Sequence, residues 1–344
     1  MKRARATTSR DVAARAGVSQ ASVSRAFTPG GRISAELRER IRKAAEELDY
    51  IPNSIARSLT RARTDTVALI IGDTDNPFYI HVLRAFLAAL QARGQQALTF
   101  TVAPGATSDD AIAQVLRFRV DGIILTAAQV STRMVSLCAD RGIPIVLFNR
   151  YIPGAALPVV RCDNFGGGQQ MAGVLLGAGA RRLVLMRGDP LGTTSQDRAN
   201  GFLEGLAGVS GVAVRELTGG STYQGALDAF EAGFGAGEPL PEAVFAVNDI
   251  MAMAVIDALR HRLGRRVPED VMVAGFDNVP EGARLPYRLT TLDQPVGVMV
   301  EEALALLAAQ MQGGAAEERL VPSRLVWRET VRGEAGVPLA RAEG

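Results

Sequence analysis

From Thr66 onward the chain alternates between two kinds of segment, and that alternation limits the folds open to it. Apolar runs fall at residues 67–71, 97–102, 122–125, 143–148, 183–186, 212–214, 243–247 and 271–276. Short continuous runs of this kind read as buried parallel strands. Between most of them lie stretches with helical spacing, such as residues 78–92 and 250–263. Strand and helix in turn predict a doubly wound α/β architecture. So many strands in one chain predict two sheets rather than one. A change of direction near residues 162–168, and a late return through residues 292–294, would give two subdomains joined by crossovers with a cleft between them. Ligands in such sheets sit beyond the carboxyl ends of the strands, so residues that follow strands are the candidate contacts.

The segment before this core has a different pattern. Residues 8–27 read T-S-R-D-V-A-A-R-A-G-V-S-Q-A-S-V-S-R-A-F. Thr8 can cap a first helix, with Asp11 three residues on, where its charge favours the helix N-terminus. Val12, Ala13 and Ala16 form one apolar stripe, and Gly17 stands where a helix ends in a left-handed conformation. Val18 points inward and Ser19 can cap a second helix that buries Val23, with Phe27 packing just beyond. Gln20, Ala21, Ser22, Ser24 and Arg25 are left exposed. In a helix-turn-helix the second helix lies in the major groove and its first residues meet base edges. Gln pairs with adenine, Arg with guanine, and Ala packs on a thymine methyl.

A third helix begins at Ser34, with Leu37, Ile41, Ala44, Ala45 and Leu48 at helical spacing, and ends at Tyr50-Ile51-Pro52. Asn53 then caps S-I-A-R-S-L-T, whose apolar content is Ile55, Ala56 and Leu59. Seven residues are too few to hold a helix alone in water. This segment is expected to order only on a support such as DNA or a symmetry mate.

Charge follows the same division. Residues 1–66 hold 14 Lys and Arg against 7 Asp and Glu, and the remainder holds 24 against 29. A basic head on a mildly acidic body is the electrostatic footprint of a domain that neutralises phosphates. Cys138 and Cys162 have neither metal spacing nor a disulfide framework and read as core. Two histidines, His81 and His261, both fall in predicted helices. There is no G-x-S-x-G, no G-x-x-x-x-G-K and no metal spacing, and Gly166-Gly167-Gly168 lacks the dinucleotide spacing. The expectation is a protein that is not an enzyme and needs no cofactor or metal. With no N-terminal apolar region and no 18-residue apolar stretch, it is expected to be cytoplasmic and without a membrane partner.

Taken in order, D-V-A-A-R-A-G-V-S-Q-A-S-V-S-R, Y-I-P-N-S-I-A-R-S-L, D-T-D-N-P-F-Y, C-D-N-F-G-G-G, R-A-N-G-F, V-F-A-V-N-D and V-A-G-F-D-N resemble the lactose-repressor family of bacterial transcription regulators. The likeness spans residues 8–333. It implies a three-helix head at 1–52, a hinge helix and linker at 53–65, a periplasmic-binding-protein-like core at 66–333, and a tail at 334–344. Within the core, an N-subdomain takes about 66–163 plus 293–324, and a C-subdomain about 164–292 plus 325–333. The partners it implies are a double-stranded DNA operator, a second copy of the chain (a homodimer, or a dimer of dimers) and a small effector in the cleft. The function implied is a repressor on a near-palindromic operator. An activator, or a regulator that answers to a protein corepressor, would share this pattern. A transport-type binding protein is disfavoured by the basic head.

Carried over by position, Gln20, Ala21 and Arg25 match base-reading positions. Ser19, Ser22, Ser24, Thr28, Arg32 and Ser34 match phosphate contacts. Asn53 and Ala56 match the hinge helix, and Leu59 the leucine wedged into a minor-groove step, with a plain linker anchor as its alternative. In the cleft the resemblance points to Asp73, Phe78, Tyr79, Asn149, Arg150, Thr194, Arg198, Asn248 and Asp277. Loop capping is the other reading of Asp73 and Asp277, and a structural ion pair that of Arg198. Paired donors and acceptors beside an aromatic face suit a sugar, polyol or sugar acid. Two positions depart from the family. Gly192 stands where purine-binding relatives have arginine. Ser221 stands where many place a stacking aromatic, with Tyr223 nearby.

Overall fold

The computed structural model describes residues 7–27, 31–50, 64–72, 75–102, 107–126, 130–235 and 238–333. The chain divides into two compact units, Met1–Thr64 and Asp65–Gly344. Thr28, Asn53, Ala56, Leu59 and Asp73 lie outside the described residues, as do residues 51–63, which take in the hinge segment up to residue 63, and the tail 334–344.

The first unit contains α1 (Ser9–Ala16), α2 (Gln20–Ala26) and α3 (Ala35–Glu47). Thr8 and Asp11 close a capping box: the Thr8 N–H and hydroxyl both donate to Asp11 Oδ2, at 2.8 and 2.7 Å. Gly17 ends α1 at φ 64°, in the left-handed region where a side chain is costly. Ser19 caps α2 by accepting from the Ser22 N–H. Val12, Ala13, Ala16, Val23, Ala26, Ile41, Ala44 and Ala45 make the buried core. Only three of these are larger than alanine. Arg38 braces the unit by donating to the carbonyls of Ala26 and Gly31, both at 2.7 Å.

The second unit opens with β1 (Thr66–Ile71), α4 (Pro77–Ala92), β2 (Gln96–Thr101), α5 (Ser108–Val115), β3 (Gly122–Leu125), α6 (Thr132–Asp140), β4 (Ile145–Phe148) and β5 (Val159–Cys162). It continues with α7 (Asn164–Gly177), β6 (Arg182–Arg187), α8 (Thr193–Leu206), β7 (Ala213–Thr218), α9 (Tyr223–Phe234), β8 (Ala243–Ala246) and α10 (Asp249–Asp257). Then come β9 (Met272–Ala274), β10 (Thr291–Asp293), α11 (Val296–Gln310), β11 (Glu318–Val321) and β12 (Arg324–Val326). The strands form a six-stranded parallel sheet ordered β11-β5-β4-β3-β1-β2 and a four-stranded parallel sheet ordered β7-β6-β8-β9. A short antiparallel pair joins β10 to β12. The two parallel sheets define an N-subdomain and a C-subdomain, and the chain passes between them at residue 163, at residues 294–295 and at residues 322–323.

Three of the eight apolar runs differ from the expectation of full burial: Ile143 and Pro144 are half-buried ahead of β4, and two whole strands are partly exposed. β2 and β7 are sheet edges with alternating exposure, because an edge strand has only one neighbour to cover it. Four described strands lack a run of their own: β5, β10, β11 and β12 are short and interrupted by Arg161, Asp293, Arg319 and Arg324. Cys138 and Cys162 are both fully buried. α7 and α8 approach so closely that a Cβ on Gly168 would strike the backbone of Arg198 and Phe202, and one on Gly201 the backbone of Phe165.

Candidate functional site

Helix α2 presents Gln20, Ala21, Ser24 and Arg25 to solvent, while Val23 and Ala26 face the core. Ser22 is half-buried, contrary to the expected exposure, because its hydroxyl lies 3.0 Å from that of Ser19 at the cap. The Gln20 amide donates to Ser9 Oγ at 2.8 Å, which orients its carbonyl end outward. Arg32 is exposed, and Ser34 caps α3 by accepting from the Leu37 N–H. Ser19, Gln20, Ala21 and Ser22 gather at the start of α2 and Ser34 at the start of α3, where the helix dipole favours an anion, whereas Arg25 lies in the last turn of α2.

In the second unit a narrow cleft is lined from the N-subdomain by Asn76, Phe78, Tyr79, Asn149 and Arg150. From the C-subdomain it is lined by Thr194, Ser195, Arg198, Ser221, Val247, Asn248 and Asp277. Eight of the nine candidates therefore meet at one place, and Asp73 is the ninth. Asn76 caps α4, its Oδ1 accepting from the Phe78 N–H at 3.0 Å. The rings of Phe78 and Tyr79 pack edge-on at 5.3 Å, and Arg150 Nε donates to the Tyr79 hydroxyl at 3.0 Å. Asn149 follows β4 with φ 68°, is almost wholly buried, and its Oδ1 has no hydrogen-bond partner.

Opposite, Ser195 and Ser221 accept from the N–H groups of Gly188 and Asp189 at 3.0 and 2.8 Å. Asn248 caps α10 through the Met251 N–H, and its amide donates to the Ser221 carbonyl at 3.4 Å. Tyr223 is not part of the wall: its hydroxyl donates to Asp257 Oδ2 at 2.7 Å. No aromatic therefore takes the place of Ser221.

The cleft floor is an ion pair. Arg198 NH1 lies 2.9 Å from Asp277 Oδ1, with both side chains about one-twentieth exposed. The guanidinium also donates to Asn164 Oδ1 and to the Val247 carbonyl, at 2.8 and 2.7 Å, and stacks 3.8 Å above the Phe276 ring. Asp277 accepts from Gln294 Nε2 at 2.7 Å and from the backbone N–H of Asp249. Arg198 thus has the ion-pair role held open for it and faces the cleft as well. Below the pair, Asp249 is fully buried, accepting from the Thr291 hydroxyl at 2.5 Å and from the Val279 N–H at 2.8 Å. Burial, and then the charge of Asp277, push its carboxyl up to about 7.

Asn76, Ser195, Val247 and Asp249 were not singled out in the sequence. Asn76 carried a signal in the Asn-Pro step that opens α4; Ser195, beside Thr194, carried none. Among the described residues no group of His, Cys, Asp and Glu could hold a metal ion, and no helix is long and apolar enough to cross a membrane.

A helix-turn-helix head followed by a two-subdomain cleft of this kind defines a DNA-binding transcription regulator. Residues 8–53 match the profile of bacterial regulatory proteins, lacI family, and residues 172–331 that of a periplasmic binding protein-like domain. The HTH-type transcriptional regulator CelR of Thermobifida fusca is 33% identical over 95% of this chain and 97% of its own length. The ribose operon repressor of Bacillus subtilis is 32% identical over 95% and 99%. The lac repressor dimer bound to operator and the anti-inducer ONPF shares the fold, with a TM-score of 0.84 at 22% identity over 95% of this chain and 99% of that one. The chain belongs to the lacI family of bacterial regulatory proteins.

Proposed function

We propose that the chain is a cytoplasmic repressor, not an enzyme, that holds a near-palindromic operator as a homodimer and releases it when a small polyhydroxylated effector enters the cleft. Gln20, Ala21 and Arg25 read bases, and Ser19, Ser22, Ser24, Thr28, Arg32 and Ser34 contact phosphates. Asn53, Ala56 and Leu59 supply the hinge. Asp73, Phe78, Tyr79, Asn149, Arg150, Thr194, Arg198, Asn248 and Asp277 hold the effector, and Asn76, Ser195 and Ser221 join them. One relative is a ribose operon repressor, which supports a sugar.

The observation that carries the effector class is Asn149 Oδ1. A buried acceptor left unmade is costly, and a ligand hydroxyl would satisfy it, whereas a carboxylate or phosphate oxygen would not. The Arg198–Asp277 pair is already neutralised, and Phe78 with Tyr79 gives the sugar ring an apolar face. Effector binding turns the subdomains against each other and disturbs the marginal hinge helices, which lowers DNA affinity.

A thermal-shift screen of the full-length protein against pentoses, hexoses, disaccharides, sugar alcohols, sugar acids and nucleosides tests this. The expected hit is a neutral sugar or polyol that also weakens operator binding in fluorescence anisotropy. Release by nucleosides alone, with no response to any sugar, would reject the reading.

A further inference from the structure

Two passages between subdomains are tied to the cleft floor, and the segment after the third is tied to the turn beside it. Asn164, one residue past the first, accepts from Arg198 Nε at 2.8 Å. Gln294, in the second, donates to Asp277 Oδ1 at 2.7 Å. Arg328, just beyond the third, donates to Asn278 Oδ1 at 2.6 Å, and Asn278 follows Asp277 directly. Asp277 and Asn278 have φ of 129° and 54°, in the positive region that side chains avoid. The turn that aims Asp277 at the cleft is therefore held in place by its bonds.

Two of these ties share a second property. Asn164 and Gln294 are 0% and 2% exposed, and each uses only one end of its amide on the ion pair. The other ends, Asn164 Nδ2 and Gln294 Oε1, are buried without a hydrogen-bond partner. An amide half-satisfied in a closed interior disfavours the arrangement that leaves it so. Both amides stand where the chain must turn if the subdomains rotate, so a rotation changes what their unbonded ends meet.

We infer that Asn164 and Gln294 are positioning residues that couple the Arg198–Asp277 pair to the angle between the subdomains. One end of each amide senses the pair, and the other gains a partner when the adjoining passage turns. This rests on the reading of the cleft as an effector site, yet it is measurable with no effector present, so the two can fail separately.

The experiment is a pulsed electron spin resonance distance measurement on the full chain. Spin labels go on Gln91→Cys at the end of α4 and Gln224→Cys on α9, both exposed positions in different subdomains. The native cysteines are buried and do not compete for label. Labelled protomers are diluted into unlabelled protein, so that only distances within a chain are read. Asn164→Leu and Gln294→Met should each change the ratio of near to far populations roughly 5- to 100-fold. The double variant should change it by less than the product of the two, because both act through one ion pair. An unchanged ratio in both single variants overturns the inference.

Gln294→Glu separates coupling from mere folding. At pH 5 a protonated carboxyl can donate to Asp277 as the amide does, and the ratio should match the unsubstituted protein. At pH 8 a carboxylate beside Asp277, in a cluster that also holds Asp163, Asp249 and Asp293 against Arg198 and Arg328, should shift it. Because Asp249 titrates in the same range, the unsubstituted protein is measured at both pH values, and a ratio in this variant that shifts with pH no more than in that protein also overturns the inference.

Discussion

In the head, Gln20, Ala21, Ser24 and Arg25 stand in solvent above a core of eight buried residues. In the cleft, Arg198, Asn248 and Asp277 are buried and bonded to their surroundings, and Asn149 is buried with its Oδ1 unbonded. The first arrangement keeps these side chains out of the packed interior, so they are the more readily replaced. The second ties the side chains proposed to hold the effector into the fold itself. Changes in the head should alter which DNA is held, whereas changes in the cleft should alter stability and response at once.

The strongest test of that contrast is Arg198→Ala. It leaves Asp277 buried without its cation, and should cost about 3–5 kcal/mol in chemical denaturation of the core. A loss below about 1 kcal/mol would erase the contrast. Next is Arg25→Ala, expected to weaken operator binding by roughly 1–3 kcal/mol at one base position. Its thermal midpoint should be unmoved. Equal weakening on every DNA sequence would reassign Arg25 to phosphate.

The buried Asp249 sharpens the comparison through pH. Its folded carboxyl titrates near 7, above its value in an unfolded chain, so the folded state binds the extra proton. Its contribution to stability is therefore full at low pH and declines as pH rises from about 4 toward 7. Asp249→Asn should flatten the fall in thermal midpoint between pH 5 and 7, and an identical slope would show that another group sets it. The smallest effect is expected from Asn149→Gly. Glycine suits φ 68° and removes the unbonded acceptor, so the unliganded protein should gain about 0.5–1 kcal/mol while losing its effector response. A retained response would take Asn149 out of the effector site.

The head was legible nearly to the residue, because the positions of a small helical unit follow from period and caps: Thr8, Gly17 and Ser19 punctuate it and Val12, Val23 and Ile41 fill it. Among the described residues of the head, Ser22 departed, drawn inward by the Ser19 hydroxyl. The core's strands were legible where both faces are buried and illegible where an arginine or aspartate interrupts a short strand, as at Arg161 and Asp293. Within the cleft, residues that follow strands could be named in advance. Asp249 and Gln294 could not, since a carboxylate beneath the floor and an amide at a passage are brought there by tertiary folding, not by any local pattern.

The glycine seam between α7 and α8 has a consequence for redesign. With Gly168 and Gly201 allowing backbone to touch backbone, the helix that carries Thr194, Ser195 and Arg198 has no slack to tilt or slide. A new specificity is then best written on the opposite wall. Asn76, Phe78, Tyr79, Asn149 and Arg150 can be varied in combination to accept new ligands, with the α7–α8 pair left as a fixed anvil against which each is shaped.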